Sequence, residues 1–211
     1  MKPNISVIGA GIMGTGIAQV ASSHGSSVSL MDASKEALEH SRSSLNIVMN
    51  RLVEKEKISI EESDAILSRV HWTSEIESIA ASELVIEAVI ENMKVKQKIF
   101  AEVESLVSND CIIATNTSSL SVAEITSSCS NLSRVMGIHF FNPVPLMKLV
   151  EVIPMEKTAP NLVYDVKSIL QSWEKTIVMA KDTPGFIVNR VARPFYVEAL
   201  RIHDEGLADF A

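Results

Sequence analysis

The chain has 211 residues, room for one generous domain or one domain and part of another. Its 46% hydrophobic and 21% charged residues describe a globular protein with a real core, and no apolar run approaches the roughly 20 residues a bilayer-spanning helix needs. A net charge of −7 argues against a nucleic-acid surface, which is normally basic, yet leaves open local anion binding at a helix N-terminus. No secretory or transit peptide is visible in Met1-Lys2-Pro3-Asn4. Cys111 and Cys129 form no disulfide framework and lack metal-ligand spacing, so a reducing cytosol is expected and no metal.

The first apolar run, residues 5–9, reads as a buried strand, and the stretch from residue 14 to residue 24 as a helix. Between them Gly9-Ala10-Gly11-Ile12-Met13-Gly14 matches G-x-G-x-x-G. The first glycine permits a tight turn, the second lets backbone approach a pyrophosphate, and the third allows close helix–sheet packing. A second strand, residues 28–32, ends in Asp32, 18 residues after Gly14, where a carboxylate can accept both ribose hydroxyls. Ala33 and Ser34 follow with no arginine for a 2′-phosphate, so NAD is favoured over NADP. The interval up to residue 84 is too long for one crossover. Apolar spacing predicts a long helix over residues 35–57 and a second over 61–69, a helical hairpin inserted into the sheet's connectivity, with a charged tip at Glu54-Lys55-Glu56-Lys57.

Residues 84–88 and 111–115 read as further strands, with a helix over 94–108 between them. Two glutamates, Glu87 and Glu91, stand at the end of the first of these; both cannot be buried without partners, and Glu91, nearer the loop, is the better candidate to face a cofactor. Solvation accounts for at least one of Lys94, Lys96 and Lys98 on the next helix. The second strand ends in the hydroxyl cluster Thr115-Asn116-Thr117-Ser118-Ser119, where Ser119 or Ser121 is expected to cap a helix over 122–129. Residues 135–140 carry His139 into the same cleft, followed by Phe140-Phe141-Asn142-Pro143, and the next apolar run (149–153) contains Glu151. Imidazole can take and return a proton near neutrality, and a carboxylate on a neighbouring strand can hold one ring nitrogen and offset the imidazolium charge. Three successive strand ends thus deliver a Glu, a Ser and a His toward one nicotinamide. Alternating βα units imply an α/β fold with a mostly parallel, doubly wound, Rossmann-like sheet.

A last strand at 176–180 leads to the breaker Thr183-Pro184-Gly185 and a final helix over 186–205, which Pro194 should kink or restart. Apolar positions on that helix have nothing left in the chain to cover them, and the sequence stops at Phe210-Ala211. The expected organisation is a dinucleotide-binding domain over residues 1–184 and the first helix of a truncated all-α domain over 185–211.

GAGIMG, VIEAVIENMKVK, NTSSL, GIHFFNPVPLMKLVEV and DTPGFIVNR, in that order, make the chain resemble the 3-hydroxyacyl-CoA dehydrogenase family over essentially its whole length. The resemblance implies NAD-dependent, reversible oxidation of an (S)-3-hydroxyacyl-CoA to the 3-ketoacyl-CoA, in fatty-acid or aromatic-acid catabolism, by a cytoplasmic protein that is homodimeric at full length. It implies a catalytic pair His139 and Glu151, a substrate-contacting Ser118, an active-site Asn189, and Asn142 beside the nicotinamide. Gly9, Gly11, Gly14, Asp32, Glu91, Lys96 and Ser118 match its cofactor side, and Lys55 on the hairpin could take a CoA phosphate. The family's second helical domain is represented only by its first helix, where Arg-Pro-Phe-Tyr-Val-Glu-Ala-Leu resembles longer bacterial members tied to aromatic-acid catabolism. The readings that compete are an NAD-dependent dehydrogenase of a free 3-hydroxyacid and a non-catalytic NAD-binding module.

Overall fold

The computed structural model describes residues 2–209. Met1, Phe210 and Ala211 lie outside the described residues, and with them the last two positions of the all-α domain expected over 185–211. Strands run as β1 (Asn4–Ile8), β2 (Ser27–Met31), β3 (Val70–Thr73), β4 (Leu84–Glu87), β5 (Ile112–Thr115), β6 (Val135–Phe140), β7 (Leu149–Pro154) and β8 (Thr176–Met179). Helices are α1 (Ile12–Ser23), α2 (Lys35–Glu54), α3 (Ile60–Ser68), α4 (Met93–Leu106), α5 (Val122–Ile125), α6 (Pro160–Ser172) and α7 (Val188–Asp204). One sheet holds all eight strands in the order β3-β2-β1-β4-β5-β6-β7-β8. Every neighbouring pair is parallel except β6 and β7. That exception follows from chain length: residues 141–148 are too few for the crossover of a dozen or more residues that a parallel return requires.

The two-residue period of a strand sorts the core onto two faces. Ile5 and Val7, Leu84 and Ile86, Ile112 and Ala114, and Met136, Ile138 and Phe140 share one cluster with α1, α2, α3 and α6. Ile8, Val85, Ile113 and Val135 face the other way, toward Phe100 and Val103 of α4 and Ile125 of α5. On β6 the same alternation turns His139 away from the large cluster and toward the face where Ile153, Ala180 and Phe186 pack. Serine hydroxyls cap α2 (Ser34), α3 (Ser59) and α5 (Ser121), and the Asn92 side chain caps α4.

Several sequence expectations change. The hairpin of α2 and α3 is present, but it leads into β3, which pairs with β2 at the sheet edge; the Val-His-Trp-Thr stretch is too short and too polar to show as an apolar run. The helix expected over 122–129 is one α-helical turn followed by a 3₁₀ turn at Thr126–Ser128, where Thr126 Oγ1 bonds the Val122 carbonyl at 2.9 Å and competes with helical bonding. Helix α6 was missed altogether, although Val166 and Leu170 recur at helical spacing and Pro160 opens it. Helix α7 runs from Val188 to Asp204 with Pro194 inside it, so the proline, which removes one donor and crowds the preceding turn, does not divide the helix in two. None of its residues is buried: Val191 is 70% and Phe195 76% exposed.

Among the described residues, no helix is long and apolar enough to cross a membrane. Cys111 and Cys129 are buried free thiols, and desolvation pushes their pKa values up to about 12 and about 11, so both stay protonated at neutral pH.

Phe100 is fully buried where α4 meets the sheet. Phe100→Ala is expected to cost about 3–5 kcal/mol in urea denaturation, the range for truncating a core aromatic.

Candidate functional site

Where β1 ends, Gly9 adopts φ +108° and its N–H donates to the Met31 carbonyl at 2.8 Å. A Cβ on Gly14 would lie 1.8 Å from the Gly9 carbonyl oxygen, so α1 can start this close to the strand only with glycine there. Gly11 caps α1 without a side-chain acceptor, and among the described residues no heavy atom beyond its chain neighbours stands within 4 Å of where its Cβ would be. No acidic residue occupies the first turn. The helix N-terminus therefore opens its free N–H groups and partial positive charge onto unfilled space, a cradle that fits a pyrophosphate.

Asp32 follows β2 and is tied to this turn. Its Oδ2 accepts the Ala10 N–H at 2.8 Å and its Oδ1 the Ser34 N–H at 2.9 Å. Each oxygen keeps acceptor capacity for a ribose hydroxyl. The carboxylate borders a cavity of about 490 Å³ whose apolar walls include Met31, Ile76, Val89 and Ile99. Those dimensions and walls fit an adenosine.

A neighbouring cavity of about 390 Å³ is lined by Met13, Glu91, Asn116, Ser118, His139, Phe141, Asn142 and Asn189, among others. Here the strand ends converge as the sequence implied. His139 and Glu151 are direct cross-strand partners on β6 and β7, and His139 Nδ1 lies 2.7 Å from Glu151 Oε2. Glu151 is fully buried, and its Oε1 accepts the N–H groups of Ile187 and Val188, each at 2.9 Å. With Nδ1 engaged by the carboxylate, Nε2 is the nitrogen left to serve the cavity. The imidazole packs against the rings of Phe141 and Phe186 at centroid distances of 4.5 and 5.6 Å. Asn189, at the start of α7, donates from Nδ2 to the Ser118 carbonyl at 3.3 Å.

Glu91 is fixed from the β5 side. Its Oε1 accepts from the Thr117 hydroxyl, the Ser118 N–H at 3.1 Å and the Ser119 hydroxyl at 3.1 Å. Lys96 is only 1% exposed; its Nζ lies 2.6 Å from Glu87 Oε1 and 3.2 Å from Glu91 Oε2. Burial opposes ionisation of Glu91, but the Thr117 hydroxyl, the Lys96 ammonium and the Ser118 amide outweigh it and hold the pKa down at about 2. Glu87 is buried with Lys96, the Thr115 hydroxyl and the Val89 N–H as partners. Lys96 borders none of the three main cavities, so its bearing on a ligand passes through Glu91.

A third feature is an apolar groove of about 540 Å³ between α1, α2 and residues 142–146. It meets the His139 cavity at Asn142 and runs along α2 to Leu52. Lys55, the C-cap of α2, is exposed one turn beyond that end and is brought into neither cavity. Of the two serines weighed as helix caps, Ser121 fills that role and Ser119 instead bonds Glu91. Sequence reasoning passed over Asn116, whose Oδ1 accepts the Phe140 N–H at 2.8 Å and pins the end of β5 to β6. It also passed over Phe186, which reaches the imidazole from a backbone at φ +47° that nothing in the local pattern foretells.

A doubly wound sheet with this glycine turn, acidic strand end and cleft defines a dinucleotide-binding domain. Residues 4–183 match the model for the 3-hydroxyacyl-CoA dehydrogenase, NAD binding domain. The chain is 43% identical over 204 residues to the 3-hydroxyadipyl-CoA dehydrogenase of Escherichia coli (97% of this chain, 43% of the relative), and 37% identical over 209 residues to the mitochondrial hydroxyacyl-coenzyme A dehydrogenase of Rattus norvegicus (96% and 67%). A crystal structure of 3-hydroxybutyryl-CoA dehydrogenase from Escherichia coli K12 superposes with a TM-score of 0.95 at 42% identity, covering 99% of this chain and 44% of the other. The chain belongs to the 3-hydroxyacyl-CoA dehydrogenase family and carries its NAD-binding domain. It spans less than half the length of the Escherichia coli relative.

Because Glu91 titrates lower in the folded state than its ordinary value of 4.5, its contribution to stability is complete above that pH and is lost as pH falls toward about 2. Urea midpoints of wild type and Glu91→Gln should therefore differ by a constant amount above pH 4.5 and converge between 4.5 and 2. A gap independent of pH would contradict the ionised network.

Proposed function

We propose that the protein catalyses reversible, NAD-dependent oxidation of an (S)-3-hydroxyacyl-CoA to the 3-ketoacyl-CoA. The observation that carries this reading is the buried His139–Glu151 pair, opening on a cavity shared with Ser118 and Asn189 and adjoining the glycine turn. His139 Nε2 accepts the proton of the substrate's 3-hydroxyl group, while Glu151 holds the Nδ1 side and offsets the charge the ring acquires. NAD, when bound, supplies the acceptor for the hydride that leaves C3. Ser118 and Asn189 position the reacting oxygen; misplacement of about 1 Å can cost roughly a hundredfold in rate. On the cofactor side, Gly9, Gly11 and Gly14 admit the pyrophosphate, Asp32 accepts the ribose hydroxyls, Asn142 and Glu91 border the nicotinamide, and Lys96 orients Glu91.

The apolar groove takes the flexible arm of the CoA thioester from Asn142 along α2, which leads it toward Lys55 and a phosphate there. Residues 185–209 belong to a second, helical unit, whose exposed apolar positions on α7 suit burial within a homodimer. Two buried thiols suit a reducing compartment, here the cytoplasm. Fatty-acid or aromatic-acid catabolism is the proposed setting.

Acetoacetyl-CoA reduction by NADH tests the assignment. His139→Gln should lower turnover by about a thousandfold, within the range for losing a positioned acid–base group, with NADH affinity unchanged. Near-normal turnover in the variant sinks the role of His139. NADH binding with no hydride transfer in the wild-type protein identifies a non-catalytic module, and preference for the free acid over the thioester moves the substrate class.

A further inference from the structure

The loop between β6 and β7, residues 141–148, is the partition between the His139 cavity and the apolar groove. Asn142 lines both spaces, while Pro143, Val144 and Leu146 line the groove. The loop has no regular structure, and its internal support is the Pro143 carbonyl, which accepts the N–H groups of Leu146 and Met147, each at 3.0 Å. On the α1 side it is held by close approach, since a Cβ on Gly16 would meet Val144 Cβ at 2.9 Å.

On the opposite side stands Lys175, the residue before β8. Its Nζ donates to the Val144 carbonyl at 2.6 Å and to the Met147 carbonyl at 2.9 Å. Lys175 is only 8% exposed and forms no ion pair among the described residues. Burial lowers its pKa, as expected for an ammonium with carbonyl partners alone. An unpaired buried charge is costly, so its presence calls for a task an apolar residue could not perform. The three tetrahedral donors of an ammonium can engage two carbonyls three residues apart, closing the loop from a single point.

We propose that Lys175 is a positioning residue that sets the wall between groove and cavity. Resting on the thioester reading above, Lys175 keeps the substrate's arm in the groove in register with its reacting carbon beside His139. Lys175 touches neither, and acts through the carbonyls of Val144 and Met147.

The test is Lys175→Met in the full chain, with acetoacetyl-CoA and NADH as probes. Losing two charge-assisted bonds should raise KM for acetoacetyl-CoA about tenfold, with kcat changed by no more than about threefold. NADH affinity should stay at the wild-type value, and amide exchange of Leu146 and Met147 should quicken. Lys175→Arg, whose guanidinium can fork to two carbonyls, should recover most of the KM. If Lys175→Met does not fold, Lys175→Gln is read in the same way, since its neutral amide lacks the reach for both carbonyls. Wild-type KM and wild-type exchange in a folded variant overturn the proposal, as does a KM rise matched by an equal loss of NADH affinity. Absence of acetoacetyl-CoA binding and turnover in the wild-type chain is a failure of the thioester reading instead. Loop exchange then decides alone whether Lys175 holds the wall.

Discussion

The Glu151 carboxylate is wholly buried, and a buried carboxylate is tolerable only when its oxygens are bonded. One oxygen meets the His139 imidazole; the other takes two backbone N–H groups from the approach to α7. This one side chain therefore joins the sheet, the imidazole and the start of the last helix. Its placement depends on β6 and β7 being antiparallel, which sets residues 139 and 151 directly opposite each other with side chains on one face. Antiparallel pairing in turn follows from the short reversal at residues 141–148. The same reversal supplies Asn142 and the wall that Lys175 holds. A single strand reversal inside an otherwise parallel sheet thus creates both the pair and its surroundings.

The other side of the cleft is organised by a second buried carboxylate. Glu87 lies at the end of β4 and is matched by Lys96 from α4, which also reaches Glu91. Lys96 therefore serves Glu91 through a position that Glu87 imposes. Glu91 gathers the Thr117, Ser118 and Ser119 donors of the β5 end, so the backbone that presents Ser118 is itself folded around a carboxylate. The network also reaches the start of α7, because Ser118 offers its carbonyl to Asn189.

The features legible in the sequence are those enforced locally. Buried parallel strands are nearly continuous apolar runs, and the glycines of residues 9–14 are fixed by backbone geometry within a few residues. β3 escaped notice because an edge strand of four residues, Val-His-Trp-Thr, is stabilised by pairing with β2 and not by its own pattern. Helix α6 does carry a helical period in Val166 and Leu170, but a short one between the stronger signals of the Glu151 strand and the Thr183-Pro184-Gly185 break. Nothing in the sequence around Lys175 marks it, since its two carbonyl partners lie 28 and 31 residues away. Asn116 was hidden among neighbouring hydroxyls. Its role appears only where the amide meets the Phe140 backbone.

Helix α7 joins two unlike environments. Its approach is bound tightly: Asp182 accepts from the Ser121 hydroxyl and from the Val122 and Ala123 N–H groups, and Glu151 takes the amides of Ile187 and Val188. Beyond the first turn, Val191, Phe195 and Leu200 are largely exposed, at 70%, 76% and 54%. Asn189 stands at the junction, with its amide already on the Ser118 carbonyl. Whatever covers the rest of α7 can therefore lean on the site only through a helix whose first turn is already anchored. That anchoring is why the imidazole–carboxylate geometry is complete with the body of α7 uncovered.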